Sequence, residues 1–230
     1  MKTAKAAFVK SLPVMAGYII LGTGFGILAH NAGYGFLWVL AMSLFMYAGS
    51  MQYVGIGLLA GGASVLTVLL TTVMVNARHL FYSISMLRHY GNAGRYKPYL
   101  IFSLTDETYS LLCDGKVPEG TDADRFRFLV SLFNHSYWVL GSVIGSLVSG
   151  ILPFSTAGIE FSMTALFIAS FTEKWIVERD HIPAATGLLG TLLCLVVFGP
   201  ERFLIPAMLL ITLILSLFRN RISAGKKVNA

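Results

Sequence analysis

The residues able to do chemistry in this chain stand where the surroundings read as oil. From Ser11 to Ala77 there is no Lys, Arg, Asp or Glu, and then, inside an apolar run, comes Asn76-Ala77-Arg78-His79. A charge near the centre of a lipid-embedded helix costs on the order of 3 kcal/mol. It is kept when it is paired, borders a water-filled cavity or snorkels to the surface. Asp106 and Glu107, in "SLTDETYSLL", are the only acids before Asp114. An ion pair between Arg78 and one of them relieves both, and the other carboxyl is then free to exchange protons. The competing reading makes Asp106-Glu107 a plain solvated loop. On a helix, Asn76 and His79 are three apart and share a face, whereas Arg78 points about 160° from Asn76. Asn76 and His79 are therefore assigned to an internal cavity.

A third polar patch, "FMYAGSMQYVGIG", holds Tyr47, Gly49, Ser50 and Gln52. A Gly-Ser break inside a span frees backbone groups for a polar ligand, with Met46, Met51 and Tyr53 as walls. The alternative is close helix packing with Gln52 bonding across helices. In "FNHSYW", Asn134 and His135 again lie within an apolar stretch. His135 is a proton relay or a hydrogen-bonded structural residue. His30, His89 and His181 fall near span ends and receive no role. No His, Asp, Glu or Cys spacing reads as a metal site, and Cys113 and Cys194 form no disulfide framework. No GxSxG nucleophile or phosphate loop occurs, so neither an enzyme nor a cofactor is expected.

The elements that hold these residues follow from composition. Of 230 residues, 56% are hydrophobic and 12% charged, and the mean hydropathy is +0.72. A soluble domain carries about 25% charged residues, and a span needs about 20 apolar ones. Spans are placed at about 12–31, 36–61, 64–87, 97–113, 128–150, 156–176, 183–199 and 202–218. The expected fold is an all-α polytopic membrane protein, one transmembrane domain over 1–230, with about seven to eight helical elements, some broken or re-entrant. The short segment 97–113 either crosses or dips in and returns. The basic, apolar N-terminus reads as a retained first span rather than a signal peptide.

The net charge of +6 is scattered, with no basic stripe for nucleic acid. Lysines and arginines gather at both ends, and eight crossings put both termini in the cytoplasm with the loop 173–181. The segment 88–97 (Arg88, Arg95, Lys97) then falls outside, against the rule. A re-entrant element there or earlier brings it inside.

"YIILGTGFGIL" from Tyr18 resembles "YWVLGSVIGSL" from Tyr137, superposing Gly22 and Gly26 on Gly141 and Gly145. The following stretches "MSLFMYAGSMQ" and "FSMTALFIASF" extend a weak duplication with halves of about 12–113 and 128–218. Both glycine pairs are GxxxG patterns that let helices approach closely. A substrate-facing unwound turn at Gly22–Gly26 is the sharper reading beside packing.

Taken together, "YAGSMQ", "NARHLFY", "TDETYSL" and "YWVLGSVIG" resemble, in order, the motifs of the AzlC family, large subunits of two-component branched-chain amino-acid exporters. The resemblance runs from about Pro13 to the final span. It implies a multi-pass protein of the bacterial cytoplasmic (inner) membrane that exports leucine, isoleucine, valine or related hydrophobic amino acids. It also implies a small AzlD-type membrane subunit as partner and the proton-motive force as drive. The family motifs fall on Ala48, Gly49 and Gln52; on Asn76, Arg78 and His79; on Asp106 and Glu107; and on Trp138 and Gly141. Ser50 and Met51 depart from the small apolar residues usual there.

The combined expectation is a secondary exporter. Helices broken at Gly22–Gly26 (with Gly24) and Gly49–Gln52 offer N–H and C=O groups to the zwitterion. Gln52 and Asn76 orient it, and Phe25, Met46 and Met51 form its apolar slot. Asp106 or Glu107 moves protons, with Arg78 holding one acid ionised. The alternatives are a channel-like pore, an assembly subunit, or a membrane-embedded lipid-modifying enzyme.

Overall fold

A computed structural model describes residues 2–91, 93–151, 181–200 and 203–218, with scattered residues between 161 and 176. The chain is an all-α membrane protein: the described residues form ten α-helices and one 3-10 turn. They divide into two compact units, residues 1–163 and 164–230. The expected span 156–176, most of the loop 173–181 and the second copy of the duplicated polar helix lie largely outside the described residues.

Two helices frame the first unit. Helix α1 (Lys2–Asn31, 30 residues) and helix α8 (Ala123–Ile151, 29 residues) are each more than long enough to cross a hydrocarbon core of about 30 Å. Both are apolar enough on average to cross a membrane, and a helix satisfies their backbone there. They run parallel, because contacts advance along both together. Phe8 stacks edge-on to Phe133 (5.7 Å), Ser11 Oγ lies 3.1 Å from Tyr137 Oη, and Ser149 Oγ donates to Asn31 Oδ1 at 2.8 Å. The duplicated glycines meet at the centre. A Cβ on Gly22 would sit 2.8 Å from the Trp138 carbonyl oxygen, and one on Gly141 would sit 2.6 Å from that of Ile19. Gly26 and Gly145 are closed in the same way by Ser142 and Thr23. Only a hydrogen fits, and the two backbones touch as in other small-residue membrane pairs.

The three segments placed at 36–61, 64–87 and 97–113 are each split. The first becomes α2 (Phe36–Phe45) and α3 (Gly49–Ala60), with a turn at 46–48. The second becomes α4 (Val65–Asn76) and α5 (Arg78–Tyr90), bent by 41° at Ala77. The third becomes α6 (Lys97–Phe102) and α7 (Asp106–Leu112), of 6 and 7 residues. Helices that short reach about 10 Å each.

The order of contacts shows which pairs cross. Along α6 and α7, Tyr96 meets Phe128, Tyr99 meets His135, Thr108 meets Asn134, and Leu112 joins the cluster of Ala7, Leu100 and Phe126. The segment climbs α8 and comes back, so 97–113 is re-entrant. Helices α2 and α3 do the same from the other end. Helix α2 leaves the turn after Asn31 and descends until the Ser43 carbonyl reaches His135. Helix α3 then climbs past Trp138 to Leu21 and Phe25. Helices α4 and α5 form the one bent crossing between α1 and α8, ending with Met86 and Tyr90 in the cluster around Ala7. One crossing is an odd number, as two parallel helices require.

The segment 88–97 takes the second of its expected placements: Tyr90 and Ala93 pack in the cluster around Ala7, so Arg88, Arg95 and Lys97 lie at the same end as Lys2, Lys5 and Lys10, because the α2–α3 hairpin before them replaces a full crossing. In the second unit, α9 (Ile182–Phe198) and α10 (Leu204–Leu217) pack with Gly190 against Ile211 Cγ1, at 2.9 Å from an added Cβ.

In a cysteine-free background, single cysteines at Lys5, Arg95 and Val117 are expected to react with a membrane-impermeant maleimide from one face of oriented vesicles. Cysteines at Gly33 and Gly62 are expected to react from the other. Labelling of position 95 from the Gly33 side would refute the two-hairpin topology.

Candidate functional site

The tips of both hairpins and the bend at Ala77 converge halfway along α1 and α8. Arg78, the first residue of α5, places Nη1 2.6 Å from Asp106 Oδ2 and Nη2 2.6 Å from Ser50 Oγ. One guanidinium therefore ties α5 to the first turn of α7 and to the first turn of α3. Its planar fork permits two such bonds at once, which an ammonium does not do with fixed geometry. Asp106 also sits at a helix N-terminus, where exposed N–H groups favour a carboxylate. The two side chains are 31% and 35% exposed, so the pair borders the protein surface rather than its deepest interior.

Glu107 turns elsewhere, since adjacent helical residues diverge by about 100°. The Tyr18 hydroxyl, on α1, donates to Glu107 Oε2 at 2.6 Å and lies 2.7 Å from Thr105 Oγ1. Thr105 caps α7, accepting from the Thr108 N–H (3.3 Å), and its hydroxyl donates to Thr108 Oγ1 (3.0 Å). Asn134 Nδ2, on α8, donates to the same Thr108 hydroxyl at 3.0 Å. A line of close polar contacts thus runs from Glu107 through three hydroxyls to Asn134 on α8.

Beside this chain, Tyr47 turns the α2–α3 hairpin at φ 41°, the one non-glycine residue with positive φ among those described. That left-handed conformation is unfavourable for a tyrosine. Its buried ring holds it there, 4.2 Å from the His135 ring and 6.4 Å from Tyr18. His135 spans the two hairpins. Its Nε2 lies 3.1 Å from the Ser43 carbonyl oxygen and its Nδ1 2.9 Å from Tyr99 Oη. A carbonyl only accepts, so Nε2 carries the hydrogen. Gln52 is fully buried, and its Oε1 accepts from Trp138 Nε1 at 2.9 Å. Gln52 Nε2 and Asn134 Oδ1, a donor and an acceptor, are buried without a hydrogen-bond partner among the described residues. Leu44, Leu132, Val139 and Leu140, together with Tyr99, His135 and Ser136, line a groove of about 510 Å³.

Several expected site residues are relocated. Helix α1 is unbroken through Gly22, Gly24 and Gly26, so no unwound turn offers backbone groups there. Gly22 and Gly26 are filled by the α8 backbone. Phe25 is fully buried, stacked 6.2 Å from Trp138, and is core rather than an open slot. The break expected at Gly49–Gln52 occurs three residues earlier, at 46–48, leaving Gly49 and Ser50 to open α3. Asn76 and His79 do not share a straight helix face, because the bend at Ala77 lies between them. The His79 ring instead bonds the Asn76 carbonyl oxygen (Nδ1 to O, 3.1 Å) and packs 4.9 Å from Tyr82. Tyr18, Thr105 and Thr108 were not singled out by sequence. Tyrosine and threonine are at home in any membrane helix, and no spacing distinguishes these.

Replacing Arg78 with Gln is expected to lower stability by about 1–2 kcal/mol, as befits a charged hydrogen bond in a partly exposed pair. Asp106→Asn should cost a similar amount, and the double variant less than the sum. Strictly additive losses in chemical unfolding of the detergent-solubilised protein would show that the pair does not act as a unit.

Comparison with known proteins follows the same motifs. The family model described as AzlC protein matches residues 13–152. The branched-chain amino acid transport protein AzlC of Bacillus subtilis is 42% identical over 94% of this chain and 85% of its own length. An uncharacterised membrane protein of Haemophilus influenzae is 43% identical over 94% of this chain and 89% of its own. The inner membrane protein YgaZ of Escherichia coli is 29% identical over 82% and 80%. No solved structure matches the chain. With this family match over more than half its length and relatives this close, the chain belongs to the AzlC family.

Proposed function

We propose that this protein is a secondary active exporter of branched-chain or related hydrophobic amino acids in the bacterial cytoplasmic membrane. It is driven by the proton-motive force and acts with a small AzlD-type membrane subunit. One observation carries the reading: two re-entrant hairpins meet tip to tip at a polar centre that holds a part-exposed ion pair and a separate hydrogen-bonded acid. Broken helices that end inside a protein are how transporters present backbone groups to a charged solute. The name of the Bacillus subtilis relative supports the solute class.

A zwitterionic amino acid asks for donors, acceptors and an apolar wall. The donors are Gln52 Nε2 and the first N–H groups of α3, which no side chain caps. The acceptors are Asn134 Oδ1 and Glu107. The walls are the rings of Tyr47, Phe102 and Trp138. Gln52 and Asn134 are fully buried, so solute reaches them only when the hairpin tips part. Glu107 carries the proton, and protonation releases the bond it accepts from Tyr18. Arg78, paired with Asp106 and bonded to Ser50, holds the tips together between cycles. The same aromatic side chains close the centre, which favours an occluding carrier over an open pore. The groove lined in part by Tyr99, His135 and Ser136 is assigned to the small subunit, because polar groups facing lipid are costly.

Vesicles holding both subunits and loaded with unlabelled leucine test the reading by counterflow of labelled leucine. Glu107→Gln should retain exchange yet lose proton-driven accumulation at least tenfold, while Asp106→Asn should slow both. Wild-type accumulation in Glu107→Gln would remove its coupling role, and absence of any hydrophobic amino-acid exchange by the wild type would remove the function. A cysteine at Leu140 should cross-link to the small subunit, and one at Leu69, on α4, should not.

A further inference from the structure

A second concavity lies away from the hairpin tips, where the first turns of α1 meet the loop 113–122 and the start of α8. It encloses about 660 Å³. Ala6, Val9, Val117 and Phe126 make an apolar lining, and Lys2, Lys5, Lys10 and Lys116 surround it. On α1 the positions 2, 5, 6 and 9 fall on one helix face, so helix geometry alone aligns two lysines with the apolar strip. No acidic side chain lines the groove. Asp114 is engaged by the Lys116 backbone N–H (3.0 Å), and Asp124 pairs with Arg127 (3.0 Å). None of the four lysines forms an ion pair among the described residues.

The groove is at the end of the molecule where Arg88, Arg95 and Lys97 also lie, which the positive-inside rule makes cytoplasmic. That leaflet's surface is negatively charged, and lysines near it are attracted to anionic lipid. Charge and lining select the ligand together. A small soluble anion would satisfy the lysines and leave the apolar walls wet. A neutral lipid would cover the walls and leave four cations uncompensated.

We propose that this groove binds one anionic phospholipid, with its headgroup phosphate among Lys2, Lys5, Lys10 and Lys116 and an acyl chain along Val9 and Phe126. The site clamps the N-terminal turns of α1 to the 113–122 loop, and it is independent of what the hairpin centre transports.

Native mass spectrometry of the detergent-solubilised protein tests this with phosphatidylglycerol and phosphatidylcholine added at equal concentration. The wild type is expected to retain one phosphatidylglycerol at least tenfold more tightly than phosphatidylcholine. Lys5→Gln with Lys116→Gln should weaken phosphatidylglycerol binding at least tenfold while leaving Lys2 and Lys10 to hold membrane orientation. Ala6→Trp, which keeps every charge but fills the groove, should do the same. Equal retention of the two lipids by the wild type overturns the proposal without reference to any variant. So does unchanged binding in Ala6→Trp or in the double variant, and so does displacement of the lipid by inorganic phosphate alone.

Discussion

Arg78 holds together the parts of this fold that a bilayer would otherwise not tolerate. A backbone that stops being helical halfway through lipid must have its freed polar groups satisfied by protein, and here it stops twice, at 46–48 and at 103–105. By bonding Ser50 at the opening of α3 and Asp106 at the opening of α7, Arg78 fixes the two hairpins against each other. His135 performs the matching task at the ends of α2 and α6. The charge that looks misplaced in the sequence is therefore the fastener of the two half-membrane elements.

The frame that receives those hairpins is the parallel pair α1 and α8. Their glycines bring the backbones into contact, and that closeness sets the level at which Tyr18 and Trp138 approach to 5.6 Å. Trp138 then reaches Gln52 on α3, and Tyr18 reaches Glu107 on α7. Each long helix thus grips both hairpins by hydrogen bonds, since Tyr53 on α3 also bonds the Leu21 carbonyl of α1 and Asn134 on α8 also bonds Thr108 on α7. Under the proposed transport cycle the glycine-locked pair is the fixed part. The hairpins are the moving part, since each leans on a few polar bonds and on a strained Tyr47. The lysine-lined groove sits at one end of the fixed part, where a bound lipid steadies it without touching the centre.

Two expectations failed for one shared reason. The reading that Gly22–Gly26 unwinds treats glycine as a helix breaker, yet in lipid an unbroken helix gains more from the close contact glycine allows than it loses in propensity. The pairing of Asn76 with His79 assumed a straight helix, and the bend at Ala77 separates them. In both cases a local rule was overridden by which neighbour stands opposite, and periodicity along one chain does not carry that.

By itself the sequence determined the membrane class and the all-α architecture, and it pointed to a break near Gly49–Gln52 and to the need for Arg78 to meet an acid. Each of these follows from the cost of moving charge or bare backbone into hydrocarbon, a cost that depends on residue type and position alone. Tertiary structure decided that Asp106 rather than Glu107 takes the arginine, that both broken segments are re-entrant, and that Tyr18, Thr105, Thr108 and Asn134 complete the centre. Those outcomes depend on direction and depth. They are set by the register of α1 against α8 and the crossing of α4 and α5, which place residues more than 80 positions apart within hydrogen-bond reach.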